Sequence, residues 1–170
     1  KNLRTSWLWE KVRMQGGAYG AMCGFNRRSG TFTLLSYRDP NLLSTLEAYD
    51  QTKDYLRNIK LTKEDLERSI IGTIGDIDSY QLPDSKGYTS MVRYLLDESA
   101  EFRQKLRDQI FTTDVSHFQA FGDIMEKFAK EAHIVVMGSQ ENLEEANQKL
   151  PTPLGLNYIQ KERSPSEENS

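Results

Sequence analysis

The sequence predicts an α+β fold: an antiparallel, or mixed, sheet packed on one side by several helices. Three observations predict it. Residues 18 to 26, AYGAMCGFN, alternate in side-chain character, and residues 31 to 37, TFTLLSY, are rich in β-branched and aromatic types. The turn Arg27-Arg28-Ser29-Gly30 joins them as a hairpin. From Asp39 to about residue 132, apolar residues recur every three or four positions, divided by capping signals. A further apolar run at 133–138, HIVVMG, reads as a buried strand far along the chain.

Each element has a local cause. TSWLWEKVRMQ, residues 5 to 15, reads as a helix capped by Thr5 or Ser6, with Trp7, Leu8, Val12 and Met14 on its apolar side. Gly16-Gly17 stops it, since the left-handed residue that ends a helix is least strained as glycine. In the first strand Tyr19, Ala21, Cys23 and Phe25 share one face, and Ala18, Gly20, Met22 and Gly24 the other.

Asp39-Pro40 reads as an N-cap followed by N1, opening a helix to about Asn58 with Leu42, Leu46, Tyr49 and Leu56 inward. Thr62 with Asp65 is a capping box for a helix striped by Leu66, Ile70, Ile74 and Ile77. Gly72 and Gly75 within it imply close packing or a break. A helix over 84–97 points Tyr88, Met91, Val92 and Leu95 inward. Ser99 caps the next, to about Phe111, and Thr113 or Asp114 another, to about Ala132. Ser139 caps a last helix to Leu150, and Pro151 and Pro153 close the domain.

One domain is expected over 1–155, with a disordered tail at 156–170 whose polar sequence cannot offset its ordering entropy by burial. Three strands cannot satisfy a sheet beneath so many helices. The sheet is therefore expected to be incomplete at its N-terminal side, with further strands preceding residue 1.

The composition is that of a globular protein, 37% hydrophobic and 28% charged, with net charge -3. Lys and Arg are scattered among acids, so no nucleic-acid footprint is expected. No apolar run reaches the roughly 18 residues of a membrane span, so no membrane partner is expected. Cys23 is the one cysteine, which excludes an internal disulfide.

Three chemistries fail on spacing. The two histidines, His117 and His133, lie in neither arrangement that sets two imidazoles one helical turn apart for zinc. Cys23 reads as a structural thiol. Gly-Gly-Ala-Tyr-Gly follows a helix and precedes a strand, whereas a phosphate cradle needs a loop leading into a helix N-terminus.

Arg13 and Tyr19 remain. On the residues alone, Arg13 is accounted for as a last-turn cation and Tyr19 as a half-buried strand aromatic. The functional alternative is a donor pair: Arg13 holding a peptide carbonyl and Tyr19 offering a phenol to a developing oxyanion. Gly16 and Gly17 would let a peptide backbone approach and add to the strand edge.

VRMQGGAYGAMCGF, then GTFTLLSYRDPNLLSTLEAYD and IIGTIGDIDSYQLPDSKGYTSMVRYLL, resemble the C-terminal domain of presequence proteases, of the pitrilysin/insulinase family of zinc metallopeptidases. The likeness covers roughly residues 5 to 150 and is strongest to the plant and bacterial type. It implies one of four homologous α+β domains closing over a peptide chamber. It implies that zinc is bound outside this chain, on an inverted motif absent here, and that none is bound by these residues. It also implies that Arg13 and Tyr19 form the family's Arg–x5–Tyr element, Arg13 with Gly16 and Gly17 binding substrate and Tyr19 stabilising the oxyanion. The partners implied are an unfolded peptide and the remaining domains of the same polypeptide. The compartment implied is mitochondrial matrix or chloroplast stroma in a eukaryote, cytoplasm in a bacterium. Two other readings stand beside this one: an inactive structural or assembly subunit of the same family, or a free-standing peptide-binding module.

Overall fold

The computed structural model describes residues 1–158. Of the tail expected at 156–170, residues 159–170 lie outside the described residues. The chain divides into two compact units, Lys1–Glu131 and the residues from Ala132 on. The fold is α+β, as expected.

The first unit opens with a short helix, α1 (Asn2–Thr5), and a π-wound helix (Trp9–Gln15). The helical start lies upstream of the expected cap. The hydroxyls of Thr5 and Ser6 bond backward to the Asn2 carbonyl, so they close a turn and do not begin one. The hairpin follows as β1 (Gly20–Asn26) and β2 (Thr31–Tyr37), paired antiparallel with Cys23 opposite Leu34 and Phe25 opposite Phe32. Asn26 accepts from the amides of Arg28 and Ser29, and Gly30 takes φ +69, the turn chemistry read from the sequence.

The helices are α2 (Leu42–Asp50), α3 (Thr52–Arg57), α4 (Lys63–Ile77), α5 (Pro83–Leu95), α6 (Ala100–Phe111) and α7 (Val115–Glu131). The helix expected from Pro40 to Asn58 is two helices meeting at Gln51, and it begins at Leu42. Asp39 caps from outside the first turn, accepting from the Asn41 amide at 2.9 Å and the Thr45 hydroxyl at 2.6 Å. The capping box of Thr62 and Asp65 forms as read, and Ser99 and Asp114 cap α6 and α7.

The core lies where the π helix, the inner face of the hairpin, α2, α3 and α7 meet. Leu8, Val12, Thr52 and Met125 are fully buried, with Leu56, Ala18 and Ala48 beside them. Each large apolar side chain here contributes roughly 1.5–3 kcal/mol on burial. Ala21, Cys23, Phe32 and Leu34 pack from the sheet onto this cluster. Phe32 meets Phe121 and Phe128 edge-on, at 5.4 and 5.5 Å between ring centroids. Trp7 stacks on Tyr55 and donates its indole N–H to the Ala48 carbonyl at 3.0 Å. Helices α3 and α7 approach closely at Gly122, where a Cβ would lie 3.0 Å from the Lys53 carbonyl. Gly75, expected to mark close packing, faces open space, and Gly72 meets only the flexible Lys1 side chain.

Helices α4, α5 and α6 bury no residue. Tyr88, Met91 and Leu95, expected inward, are exposed. An amphipathic stripe states that a helix wants cover; it does not supply the cover.

In the second unit Ser139 caps α8 (Gln140–Lys149), and the Asn147 side chain clasps both the amide and the carbonyl of Leu154 at 2.9 Å. The strand expected at 133–138 does not form. The described sheet holds β1 and β2 only, and Val135 and Met137 are 93% and 92% exposed. The apolar run satisfies the pattern of a strand, but a strand exists only with a ladder partner.

Candidate functional site

The π helix is wound wider at its end than an α-helix: the Gly16 amide reaches the Lys11 carbonyl at 3.0 Å, an i→i+5 bond. Such expansions recur at functional sites because they re-aim side chains. Within it, Arg13 is half-buried with its guanidinium over the Trp9 ring, 4.1 Å from the centroid. This is a cation–π stack, which orients the fork while leaving its N–H edges free.

Gly16 and Gly17 turn the chain. Gly16 is buried, and a Cβ there would sit 2.6 Å from the Val12 carbonyl oxygen. Gly17 has φ +78, the left-handed conformation a helix end commonly adopts. The segment after β2 holds this turn in place. Asn41 donates from its side-chain amide to the Gly16 carbonyl at 2.7 Å, and Pro40 packs 3.5 Å from the Cβ position of Gly17.

Tyr19 lies just ahead of β1, and its alternation with Ala21 and Cys23 breaks there. Those two face the core, whereas Tyr19 is 66% exposed. Its amide donates to the Arg38 carbonyl at 3.3 Å, and its ring meets Tyr37 edge-on at 6.0 Å. Arg38 lies over both rings, 5.9 Å from Tyr19 and 5.4 Å from Tyr37. Arg38 also takes φ +48, a strained value for a residue with a side chain and a feature that clusters at functional sites. The sequence reading missed Arg38 and Trp9. The i to i+4 spacing of Trp9 and Arg13 was the available signal for the second; no signal marked the first.

The four residues read from the sequence thus fall on one turn. Arg13 is held by Trp9 and Tyr19 by Tyr37 and Arg38, and the described contacts include none directly between Arg13 and Tyr19. Among the described residues the Tyr19 hydroxyl has no hydrogen-bond partner, so it is free to donate outward. Cys23 is half-buried, and burial pushes its thiol up from its ordinary pKa, away from a reactive thiolate.

Zinc does not fit these residues. His117 bonds Asp114 at 2.9 Å at the start of α7, His133 is exposed in the other unit, and no group of three potential ligands assembles among the described residues.

Comparison with known proteins bears on the same turn. The family model described as the PreP C-terminal domain matches residues 1–140. The chain belongs to the PreP C-terminal domain family. It is 48% identical over 147 residues to presequence protease 1, chloroplastic/mitochondrial, of Arabidopsis thaliana, covering 86% of this chain and 14% of that protein. It is 37% identical over 143 residues to protein HypA of Clostridium perfringens, covering 84% of this chain and 15% of that protein. To the mitochondrial presequence protease of Mus musculus it is 34% identical over 121 residues, covering 68% of this chain and 11% of that protein. The chain therefore spans a small part of the relatives it matches. The match to the PreP C-terminal domain takes in Arg13, the glycine turn, Tyr19 and the whole hairpin.

Proposed function

We propose that this chain is the C-terminal part of a zinc-dependent metalloendopeptidase that degrades short unfolded peptides such as cleaved targeting peptides, with zinc held elsewhere in the full polypeptide. Family membership and the presequence-protease relatives support a peptidase. The observation that carries the role of this part is the turn at Gly16-Gly17, flanked in sequence by a guanidinium oriented on Trp9 and by an exposed phenol.

In this reading Arg13 donates to a backbone carbonyl of the peptide. Its fork suits planar acceptors, and its stack on Trp9 reduces the entropy lost on binding. The Tyr19 hydroxyl donates to the scissile carbonyl oxygen as it gains charge. Gly17, exposed at φ +78, bares the backbone of the turn toward the peptide, whereas buried Gly16 lets the helix end close on itself rather than making room for substrate. The outer edge of β1, unpaired among the described residues, offers a ladder for the peptide. Partners are the unfolded peptide and the remaining domains of the same polypeptide. The compartment follows the organellar relatives, matrix or stroma, if the source is eukaryotic.

The test is Tyr19→Phe in the full-length enzyme. Losing one oxyanion donor lowers kcat by about 10²–10³-fold and changes KM less, because the contact strengthens only in the transition state. An unchanged kcat removes the role. The isolated chain with added zinc should cleave no peptide, and zinc-dependent cleavage by it would overturn the assignment of the metal to another part.

A further inference from the structure

At the tip of the hairpin, Arg27, Arg93, Arg103 and Arg107 line one cavity of about 270 Å³ together with Ile77, Leu106 and Glu98. Strand β1 has seven residues at about 3.3 Å each, so this cavity lies roughly 20 Å from Tyr19 along the hairpin. Part of the arginine charge is already neutralised. Glu98 accepts a hydrogen bond from Arg28 at 3.1 Å and forms an ion pair with Arg27 at 3.5 Å, and Asp78 pairs with Arg107. Arg93 and Arg103 form no ion pair among the described residues. Four guanidiniums and one carboxylate, Glu98, line the cavity, so its lining is basic in a chain whose net charge is -3.

The cavity has a rigid frame. Asp97 takes φ +52 between α5 and α6, and the turn it makes bonds the Glu98 amide to the Arg93 carbonyl at 2.9 Å. That strain places Glu98 against the hairpin tip, where it fixes Arg27 and Arg28, while Arg27 also lies over the Phe102 ring. Ile77 and Leu106 supply an apolar wall that strengthens any charged contact beside it. The volume is below the roughly 300–1,000 Å³ of sites for drug-sized ligands, so it suits one small group.

We propose that this cavity is an oxyanion-binding site, taking a phosphate or carboxylate group with Arg93 and Arg103 as its donors. Guanidinium forks match both groups in geometry, and two guanidiniums without a carboxylate partner among the described residues, Arg103 using only its Nε–H on the Ser99 carbonyl, can share one anion. The site is independent of the role of Tyr19.

The experiment titrates the 170-residue chain with inorganic phosphate, and separately with a short glutamate-rich peptide, at low ionic strength. Binding is followed by calorimetry and by amide chemical shifts. Saturable shifts at Arg93, Glu98 and Arg103 are expected, weakening as salt is raised. The Arg93→Gln/Arg103→Gln variant should bind at least about tenfold more weakly, whereas Arg68→Gln, on the exposed side of α4, should bind as the parent does. Phosphate binding alone assigns a free oxyanion as ligand; peptide binding alone assigns a carboxylate of a peptide; both support the site. Arg93→Lys/Arg103→Lys keeps the charge but not the fork and should fall between the parent and the Gln variant. It also serves if the Gln variant does not fold. No saturable binding of either probe, or equal affinity in the parent and the fork-deficient variants, overturns the proposal.

Discussion

The side-chain amide of Asn41 donates a 2.7 Å hydrogen bond to the carbonyl of Gly16, joining the start of α2 to the glycine turn. The carbonyl is one of those a helix end leaves without an intrahelical partner. Around it, Pro40 packs on Gly17 and Arg38 bonds Tyr19, so the segment after β2 is the mould in which the turn is held. Asn41→Leu removes the donor and leaves a half-buried acceptor unpaired. It is expected to destabilise the chain by about 1–3 kcal/mol, read as a lowered denaturation midpoint with unchanged m. In the full-length enzyme it should lower peptidase activity as well, because Arg13 and Tyr19 flank the turn it secures.

Arg13 is oriented by an aromatic face rather than by a carboxylate, which leaves its charge uncompensated for a ligand. Trp9→Leu keeps apolar bulk and removes the face. The expected result is a KM for peptide cleavage raised about threefold to tenfold, as the loss of roughly 1 kcal/mol of cation–π orientation implies, with kcat nearly unchanged. Trp9→Phe should recover most of the loss. Steady-state kinetics with an unfolded peptide decides, and a fall in kcat with constant KM would speak against an anchoring role.

Two glycines in helices are expected to respond in opposite directions. At Gly122 an added methyl would lie 2.8 Å from the Arg57 side chain and 3.0 Å from the Lys53 carbonyl, so α3 must move off α7. Gly122→Ala should cost about 1–3 kcal/mol. At Gly75 nothing lies within 4 Å of the Cβ position. Gly75→Ala should stabilise the chain by up to about 1 kcal/mol, through helix propensity. Thermal melts of the two variants beside the parent measure both signs.

Local chemistry was legible in the sequence: the hairpin with its turn, the Thr62–Asp65 box, the Ser99 and Ser139 caps and the stop at Gly16-Gly17. Those depend on neighbours within a few residues. Non-local packing was not. Gly72, Gly75 and Gly122 look alike as letters, and only the approach of α7 to α3 makes the last one necessary. Val135 and Met137 carry a strand pattern without a described partner, and Tyr88, Met91 and Leu95 an inward stripe without cover. Arg13, Gly16, Gly17 and Tyr19 could be singled out because they are close in sequence. Arg38 could not, since its approach to Tyr19 exists only after the hairpin folds back.

A final expectation concerns pH. Arg57 links α3 to α7 by donating to Glu126 at 2.5 Å and Asp123 at 2.8 Å. Glu126 also accepts from Lys130 at 3.2 Å. The Arg57 hydrogen bond, and then that of Lys130, hold the Glu126 carboxyl down from its ordinary 4.5 to about 2. The folded chain therefore binds this proton less tightly than the unfolded chain does. The stability that the group contributes is present above its unfolded value and is lost as pH falls from about 4.5 toward about 2. Melting temperature should drop through that window, and Glu126→Gln should melt lower at neutral pH and show a shallower fall. Some slope must survive in the variant, because Asp65, Glu101, Asp114 and Glu145 are also lowered, each by hydrogen bonds to its carboxylate. Raising the salt to about 1 M should shrink the difference between parent and variant, since the cluster is open to solvent. Parallel melting curves for the two proteins across this range would show that the Arg57–Glu126 link does not couple α3 to α7 energetically.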